Sequence, residues 1–207
     1  MAEPGFFSEQ YFANRVPERD ELLLELEREA RDEDIPIVGP VVGNLLQILA
    51  LTVGARNILE LGTATGYSGL FLARACAELG GGLVTLESNP EMAERARVNF
   101  RRAGVDSRVR VVEGEALQSL SGLDERSFDF AFLDIDKEYY EPALQECGRL
   151  LRPRGLLVAD NTSFPDAGGF NDRVYRDSTW RSVQLLTYLP GHSPERDGVC
   201  IAVKANG

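Results

Sequence analysis

The segment Ile58-Leu-Glu-Leu-Gly-Thr-Ala-Thr-Gly-Tyr-Ser68 constrains the fold more than any other, because an apolar strand pattern runs into an acid, two glycines and a helical pattern that restarts at once. A turn of this kind delivers the chain from the end of a strand to the start of a helix, where free N–H groups face outward and can hold a ligand. Gly62 can take backbone angles barred to other residues, and Gly66 lets the loop approach a ligand closely. The turn residues Glu60, Gly62, Thr63, Gly66, Tyr67 and Ser68 are therefore candidates for cofactor contact. A further acid, Glu87, follows Leu83-Val-Thr-Leu86 at the end of the next strand pattern, where a carboxylate can hold a ribose diol.

From Asn57 onward, strand and helix patterns alternate, which predicts a mostly parallel sheet covered on both faces. The strands expected are 57–61, 83–87, 109–113, 128–133, 156–159, 183–189 and 199–203, with helices over 68–79, 91–103, 138–151 and roughly 167–177. Two helices precede them: an amphipathic one over Glu18 to Arg31, rich in Leu and Glu, and an apolar one over Val42 to Val53. At 207 residues, with no repeat and no low-complexity linker, one domain over residues 1–207 is expected. Its first 55 residues should cover the cofactor site and offer a dimer contact.

A glycine turn alone does not name its ligand, but the details of this one discriminate. A dinucleotide pyrophosphate calls for Gly-x-Gly-x-x-Gly, whereas this chain has Gly62-x-x-x-Gly66 followed by the bulky Tyr67. Glu60 would repel a pyrophosphate and would suit a cation such as the sulfonium of S-adenosylmethionine. The structural alternative is that Glu60 only caps the turn.

The formal net charge of −11 argues against non-specific attraction to nucleic acid or an anionic membrane. The cysteines Cys76, Cys147 and Cys200 are far apart in apolar stretches, which suits buried free thiols in a reducing cytoplasm. No basic segment followed by an apolar core opens the chain, and no apolar run is long enough to span a bilayer. The single histidine, His192, lies in Pro190-Gly-His-Ser-Pro194, so it is expected as a solvated loop residue, and a histidine-dependent triad or metal cluster is excluded.

Ligands of open parallel sheets bind outside the carboxyl ends of the strands. Asp134 directly follows Phe130-Ala-Phe-Leu133, and Asp160-Asn161 follow Leu156-Leu-Val-Ala159. If those strands are neighbours, Asp134, Asp160 and Asn161 place three hard oxygen donors on one rim, which suits Mg²⁺, with Mn²⁺ or Ca²⁺ as substitutes. The alternative is that the two aspartates are helix caps. Lys137, three residues past Asp134, can face the same rim and act as a base toward a hydroxyl acidified by the metal; otherwise it is a surface lysine paired with Asp136 or Glu138.

Taken together, Glu60-Leu-Gly-Thr-x-x-Gly-Tyr-Ser68, Glu87, Gly114-Glu-Ala116, Asp134-x-x-Lys137-x-x-Tyr140, Asp160-Asn161 and Asp197-Gly198 resemble the cation-dependent O-methyltransferases. That family includes catechol and caffeoyl-CoA O-methyltransferases and small bacterial relatives, and the resemblance runs from Pro36 to Lys204. It implies a Rossmann-like, doubly wound sheet of seven strands, mostly parallel with an antiparallel last strand and helices on both faces. It also implies S-adenosylmethionine as donor and a divalent cation on Asp134, Asp160 and Asn161, with Lys137 taking the proton. By the same match Val38, Ser68, Glu87, Glu115, Ala116 and Asp134 line the cofactor site, although family members commonly have Asp where this chain has Glu115.

The acceptor expected is a small hydroxylated aromatic molecule of the catechol type, against a wall drawn from Tyr139, Phe164, Phe170 and Trp180, with core as the preferred place for Trp180. Two other readings stand against it: methylation of a hydroxyuridine in transfer RNA, through Arg101, Arg102, Arg108, Arg110, Arg149, Arg152 and Arg154, and nucleotide binding without catalysis. The family resemblance favours a homodimer, with contacts from the two N-terminal helices.

Overall fold

A computed structural model describes residues 7–205. Three helices come first: α1 (Glu9–Ala13), α2 (Glu21–Asp32) and α3 (Gly39–Val53). The alternating part follows as β1 (Asn57–Leu61), α4 (Tyr67–Leu79), β2 (Gly82–Glu87), α5 (Pro90–Arg102), β3 (Val109–Glu113), α6 (Ala116–Leu120), β4 (Phe128–Leu133), α7 (Tyr140–Leu150), β5 (Leu151–Ala159), α8 (Gly168–Arg176), β6 (Trp180–Tyr188) and β7 (Arg196–Lys204). The seven strands form one sheet in the order β3-β2-β1-β4-β5-β7-β6. Pairing is parallel from β3 to β5, and β7 is antiparallel to both β5 and β6.

Period-two alternation explains why the central strands are apolar throughout. Ile58, Phe130, Phe132, Leu156 and Val158 pack on one face under α2–α5, while Leu59, Leu61, Ala131, Leu133, Leu157 and Ala159 pack on the other under α6–α8. The same alternation sends Glu60 to the α4 face, between Ile58 and the start of that helix.

Several element ends differ from the expected ones for local reasons. Asp20 caps α2 by accepting from the Leu23 N–H at 3.0 Å, so this helix begins after Pro17 and Glu18. Residues Lys137–Tyr139 form a 3₁₀ turn, which delays α7 to Tyr140. Strand β5 starts five residues early, through Arg152-Pro-Arg-Gly155, with Arg154 at φ 65°. The short helix α6 falls where no helix was expected.

Reversal of strand order between β1 and β4 makes a switch point, and backbone bonds carry the ladder past it: Gly62 N–H donates to Leu86, Asp134 N–H to Leu61 and Asp160 N–H to Leu133. The expected rim residues are thereby held level at the carboxyl ends of adjacent strands. Gly62 has φ 95°, and a Cβ there would sit 1.8 Å from the Asp134 carbonyl oxygen, so no side chain fits where β1 and β4 meet.

Candidate active site

The carboxyl ends of β1 to β5 open on a cleft of about 1140 Å³, bounded on its other side by the segment before α3 and by the loop after β6. Val38, Gly62, Thr63, Tyr67, Ser68, Glu87, Glu115, Ala116, Asp134, Lys137 and Asn161 all line it, and Asp160 lies directly behind.

At the donor end the glycine turn is fixed before any ligand arrives. Glu87 accepts from the Ala64 N–H through Oε2 at 2.8 Å and from the Asn89 N–H through Oε1 at 2.8 Å, which ties the turn to the end of β2. The buried Asn99 amide donates to the Thr65 carbonyl at 2.9 Å. The Tyr67 hydroxyl donates to Glu27 at 2.8 Å, and Arg19 pairs with the same carboxylate at 3.1 Å, so α2 is fastened over the turn. Nothing in the local pattern marked Glu27 or Arg19, since both read as ordinary polar positions of an amphipathic helix.

Glu60 is a correction. It is fully buried beneath the turn and does not line the cleft, and neither does Gly66, which caps α4 with φ 88°. Its carboxylate accepts from Ser68 Oγ at 2.7 Å and from Thr85 Oγ1 at 2.6 Å, and Thr85 is bonded in turn to Thr63 at 2.5 Å. Burial raises the Glu60 pKa to about 7, against the opposing pull of the two hydroxyls and with a smaller push from Asp134 and Glu87. Glu60 therefore acts on the turn from below, off the cleft lining.

The opposite end gathers charge. Lys137 Nζ donates to Asn161 Oδ1 at 2.8 Å and to the Ile135 carbonyl at 3.1 Å, and stands 3.4 Å from Asp134 Oδ1. Its expected surface alternatives, Asp136 and Glu138, are not its partners. Enclosure raises the Asp134 pKa to about 6, repulsion from Asp160 adds to it, and Lys137 opposes it. Asn161 sits at φ 50°, a left-handed conformation that Asn tolerates, and its amide donates to Asp197 Oδ2 at 2.7 Å, turning Oδ1 toward the cleft. Asp197 also accepts from the Gly198 N–H at 2.6 Å and from the Ser163 hydroxyl. Burial alone would raise the Asp197 pKa, but these hydrogen bonds outweigh it and hold the group below its ordinary range.

His192 is the second correction. The ring is buried against Asp160, with Nε2 2.8 Å from Oδ2 and Nδ1 2.6 Å from the Pro194 carbonyl. Burial works against a charge on the ring, yet the hydrogen bond and charge of Asp160 prevail and raise its pKa. A loop rich in Pro, Gly and Ser gave no sign of this, because the partner is 32 residues away.

The donor set suits a hard divalent cation. Asp160 Oδ1 is buried with no hydrogen-bond partner, a cost of about 1–3 kcal/mol for a polar atom and more for a charged one. Asp134 and Asn161 line the cleft in front of it, with Lys137 Nζ on Asn161 Oδ1. Among the described residues no three His, Cys, Asp or Glu side chains converge as a metal cluster, so the third donor would be the Asn161 amide oxygen.

Of the expected aromatic wall, Tyr139 and Phe164 line the cleft and are 40% exposed each, whereas Phe170 and Trp180 belong to the core. Trp180 is thus where it was preferred, and Phe170 is not a wall residue. Of the arginines that could form a patch for RNA, Arg101, Arg102, Arg149 and Arg152 are paired with Glu94, Glu25, Glu146 and Asp129. The cysteines are buried and free as expected. Among the described residues, no helix is long and apolar enough to cross a membrane.

This strand order, a fixed glycine turn and a rim of acids beside a lysine define a class I methyltransferase frame, and comparison with known proteins agrees. The profile of the O-methyltransferase family matches residues 14–174, and the chain belongs to that family. It is 45% identical over 152 residues to a catechol O-methyltransferase of Mycobacterium tuberculosis, covering 72% of this chain and 68% of the relative. A catechol O-methyltransferase of Niastella koreensis is 39% identical over 158 residues, covering 74% and 71%. Among solved structures, an O-methyltransferase from Bacillus cereus in complex with SAH superposes with a TM-score of 0.82 at 32% identity, covering 95% of this chain and 96% of that one. The O-methyltransferase TomG from Streptomyces achromogenes, in complex with SAM, gives 0.84 at 31% identity over 96% of both chains. The protein is thus an S-adenosylmethionine-dependent O-methyltransferase.

Proposed function

We propose that this enzyme methylates one hydroxyl of a catechol-like vicinal diphenol with the help of a divalent cation held by Asp134, Asp160 and Asn161. The observation that carries the reading is Asp160 Oδ1, a buried oxygen without a partner behind a rim that also presents Asp134, Asn161 and Lys137. Tyr139 and Phe164 offer flat apolar faces beside that rim, which suits a planar acceptor, and two relatives bear the name catechol O-methyltransferase.

In this reading the donor lies along the glycine turn. Glu87 faces its ribose hydroxyls, the backbone at Glu115 and Ala116 meets adenine, and Val38, Thr63, Tyr67 and Ser68 close around the remainder. A divalent cation at the rim would supply Lewis acidity to a hydroxyl facing it. Lys137 takes the proton from that hydroxyl at Nζ. The oxyanion then attacks the methyl carbon in line with sulfur, forming the C–O bond as the C–S bond breaks, and the electron pair leaves on the sulfur. Much of the rate comes from holding oxygen and methyl in contact between the two ends of one cleft.

The test is methyl transfer from labelled S-adenosylmethionine to a panel of vicinal diphenols, with Mg²⁺ and again with excess chelator. Chelator-sensitive labelling of a diphenol is expected; labelling that survives chelation sinks the cation part, and none with any diphenol sinks the acceptor class.

A homodimer belongs to the same proposal. Much of the apolar surface of α2 and α3 is spent on the core, but Leu24 and Ile48 on these helices stay exposed, Ile48 at 59%, as do Val183, Leu185 and Leu186 on the edge strand β6, Leu186 at 81%. Light scattering at the mass of a single chain would remove this element.

A further inference from the structure

We propose that His192 is a positioning residue for the cation site, fixing Asp160 so that Oδ1 alone is presented to the cation and tying the acceptor-side loop to the same carboxylate. The inference rests on the cation reading above and concerns a residue outside its ligand set.

Every polar atom of Asp160 except Oδ1 is already committed. The N–H donates to Leu133 at 3.0 Å, the carbonyl accepts from the Tyr140 hydroxyl at 2.9 Å, and Oδ2 meets His192 Nε2 at 2.8 Å. A carboxylate terminus otherwise turns easily about its last torsion, so the contact at Oδ2 decides where Oδ1 stands. Oδ1 is the side-chain oxygen left buried and without a partner among the described residues. The ring is fixed from its other side as well. A carbonyl oxygen and a carboxylate oxygen both accept, so the 2.6 Å contact with Pro194 takes an N–H from Nδ1 and the 2.8 Å contact with Asp160 takes one from Nε2.

The loop that carries this ring also shapes the cleft. Ser193 and Pro194, the two residues after His192, line it beside Phe164 and Asn161. His192 N–H donates to the Leu189 carbonyl at 2.9 Å and Gly191 N–H to Glu195 at 3.1 Å, so the loop is a closed turn with the ring as its inward post. One rigid planar side chain with nitrogens on opposite edges thus spans from the acceptor wall to a proposed cation ligand. Lysine or arginine could reach Asp160, but neither could accept a fixed place between a carbonyl and a carboxylate with so few torsions.

The experiment is Mn²⁺ binding to the full chain, read by electron paramagnetic resonance, for the wild type, D160N, H192A, H192N and H192Q. S-adenosylmethionine affinity is measured alongside, as proof that the donor end is intact. Gln places an amide N–H near the position of Nε2, whereas Asn reaches only the position of Nδ1. H192A and H192N are expected to weaken Mn²⁺ by about 10- to 100-fold, as loss of an outer-shell partner does, with H192Q recovering most of it. Should H192A fail to fold, the H192N and H192Q pair carries the comparison, since both keep a polar group in the pocket. Wild-type Mn²⁺ affinity in H192N, or H192Q no better than H192N, overturns the positioning role while leaving the cation reading standing. A wild type that binds no Mn²⁺, or a D160N variant that binds it unchanged, overturns the cation reading and this proposal with it.

Discussion

The donor end of the cleft is drawn from one short stretch, with Gly62 and Thr63 in the turn and Tyr67 and Ser68 opening α4, whereas the opposite end gathers Asp134, Asn161 and His192 from three separate loops and Asp197 from the start of β7. The first is held mainly through backbone groups: Glu87 and Asn99 grip main-chain atoms of the turn, and Gly62 keeps it against β4. The second is held by side chains on side chains, Asp197 on Asn161 and His192 on Asp160. A site built on backbone tolerates exchange of side chains but not of glycine. A site built on side-chain networks fails when one member is removed, because its partner is left buried and unpaired.

The largest effect expected is at the dispersed end. Lys137→Ala should lower kcat by about 10²- to 10⁴-fold, the usual worth of a general base, with S-adenosylmethionine binding little changed. Unchanged turnover would remove Lys137 from the chemistry. Gly62→Ala attacks the seam between the two ends, where a Cβ would meet the Asp134 carbonyl at 1.8 Å and φ is 95°. A loss of about 2–4 kcal/mol in chemical denaturation is expected from the strain and overlap together; stability within error of the wild type would show that the turn yields more than its packing implies.

Glu60 sharpens the comparison through pH. Its pKa rises on folding from 4.5 to about 7, so the folded state holds this proton more tightly than the unfolded chain. The stability it contributes is fully present below pH 4.5 and is lost as pH rises through about 7. Glu60→Gln should therefore flatten the fall in stability between pH 5 and pH 8 by up to about 3 kcal/mol, from the size of the shift. Parallel pH profiles for variant and wild type would mean that the carboxylate titrates normally. The smallest effect separates the two ends: Glu87→Ala should weaken S-adenosylmethionine by about tenfold, the worth of a charge-assisted hydrogen bond, and leave Mn²⁺ binding alone. A comparable loss of Mn²⁺ affinity would show that the ends are coupled.

The corrections at Glu60 and His192 have one cause. Glu60 stands next to the glycine turn in sequence, yet alternation along β1 sends its side chain to the face under α4, where Ser68 and Thr85 wait. His192 sits among loop residues, yet the loop folds inward to Asp160. In both cases the composition around the residue described its segment correctly and its side chain's destination wrongly.

Local sterics and burial periodicity are written in neighbouring residues, so the alternation from Asn57 onward, the strand-to-helix turn at Gly62 and the acids closing β4 and β5 could be read from the chain alone. Only the tertiary structure made β1 the neighbour of β4, buried Glu60 out of the cleft, and brought His192 to Asp160 and Asp197 to Asn161. Contacts across 32 and 36 residues depend on strand order and the path of a loop, and no neighbouring residue records either.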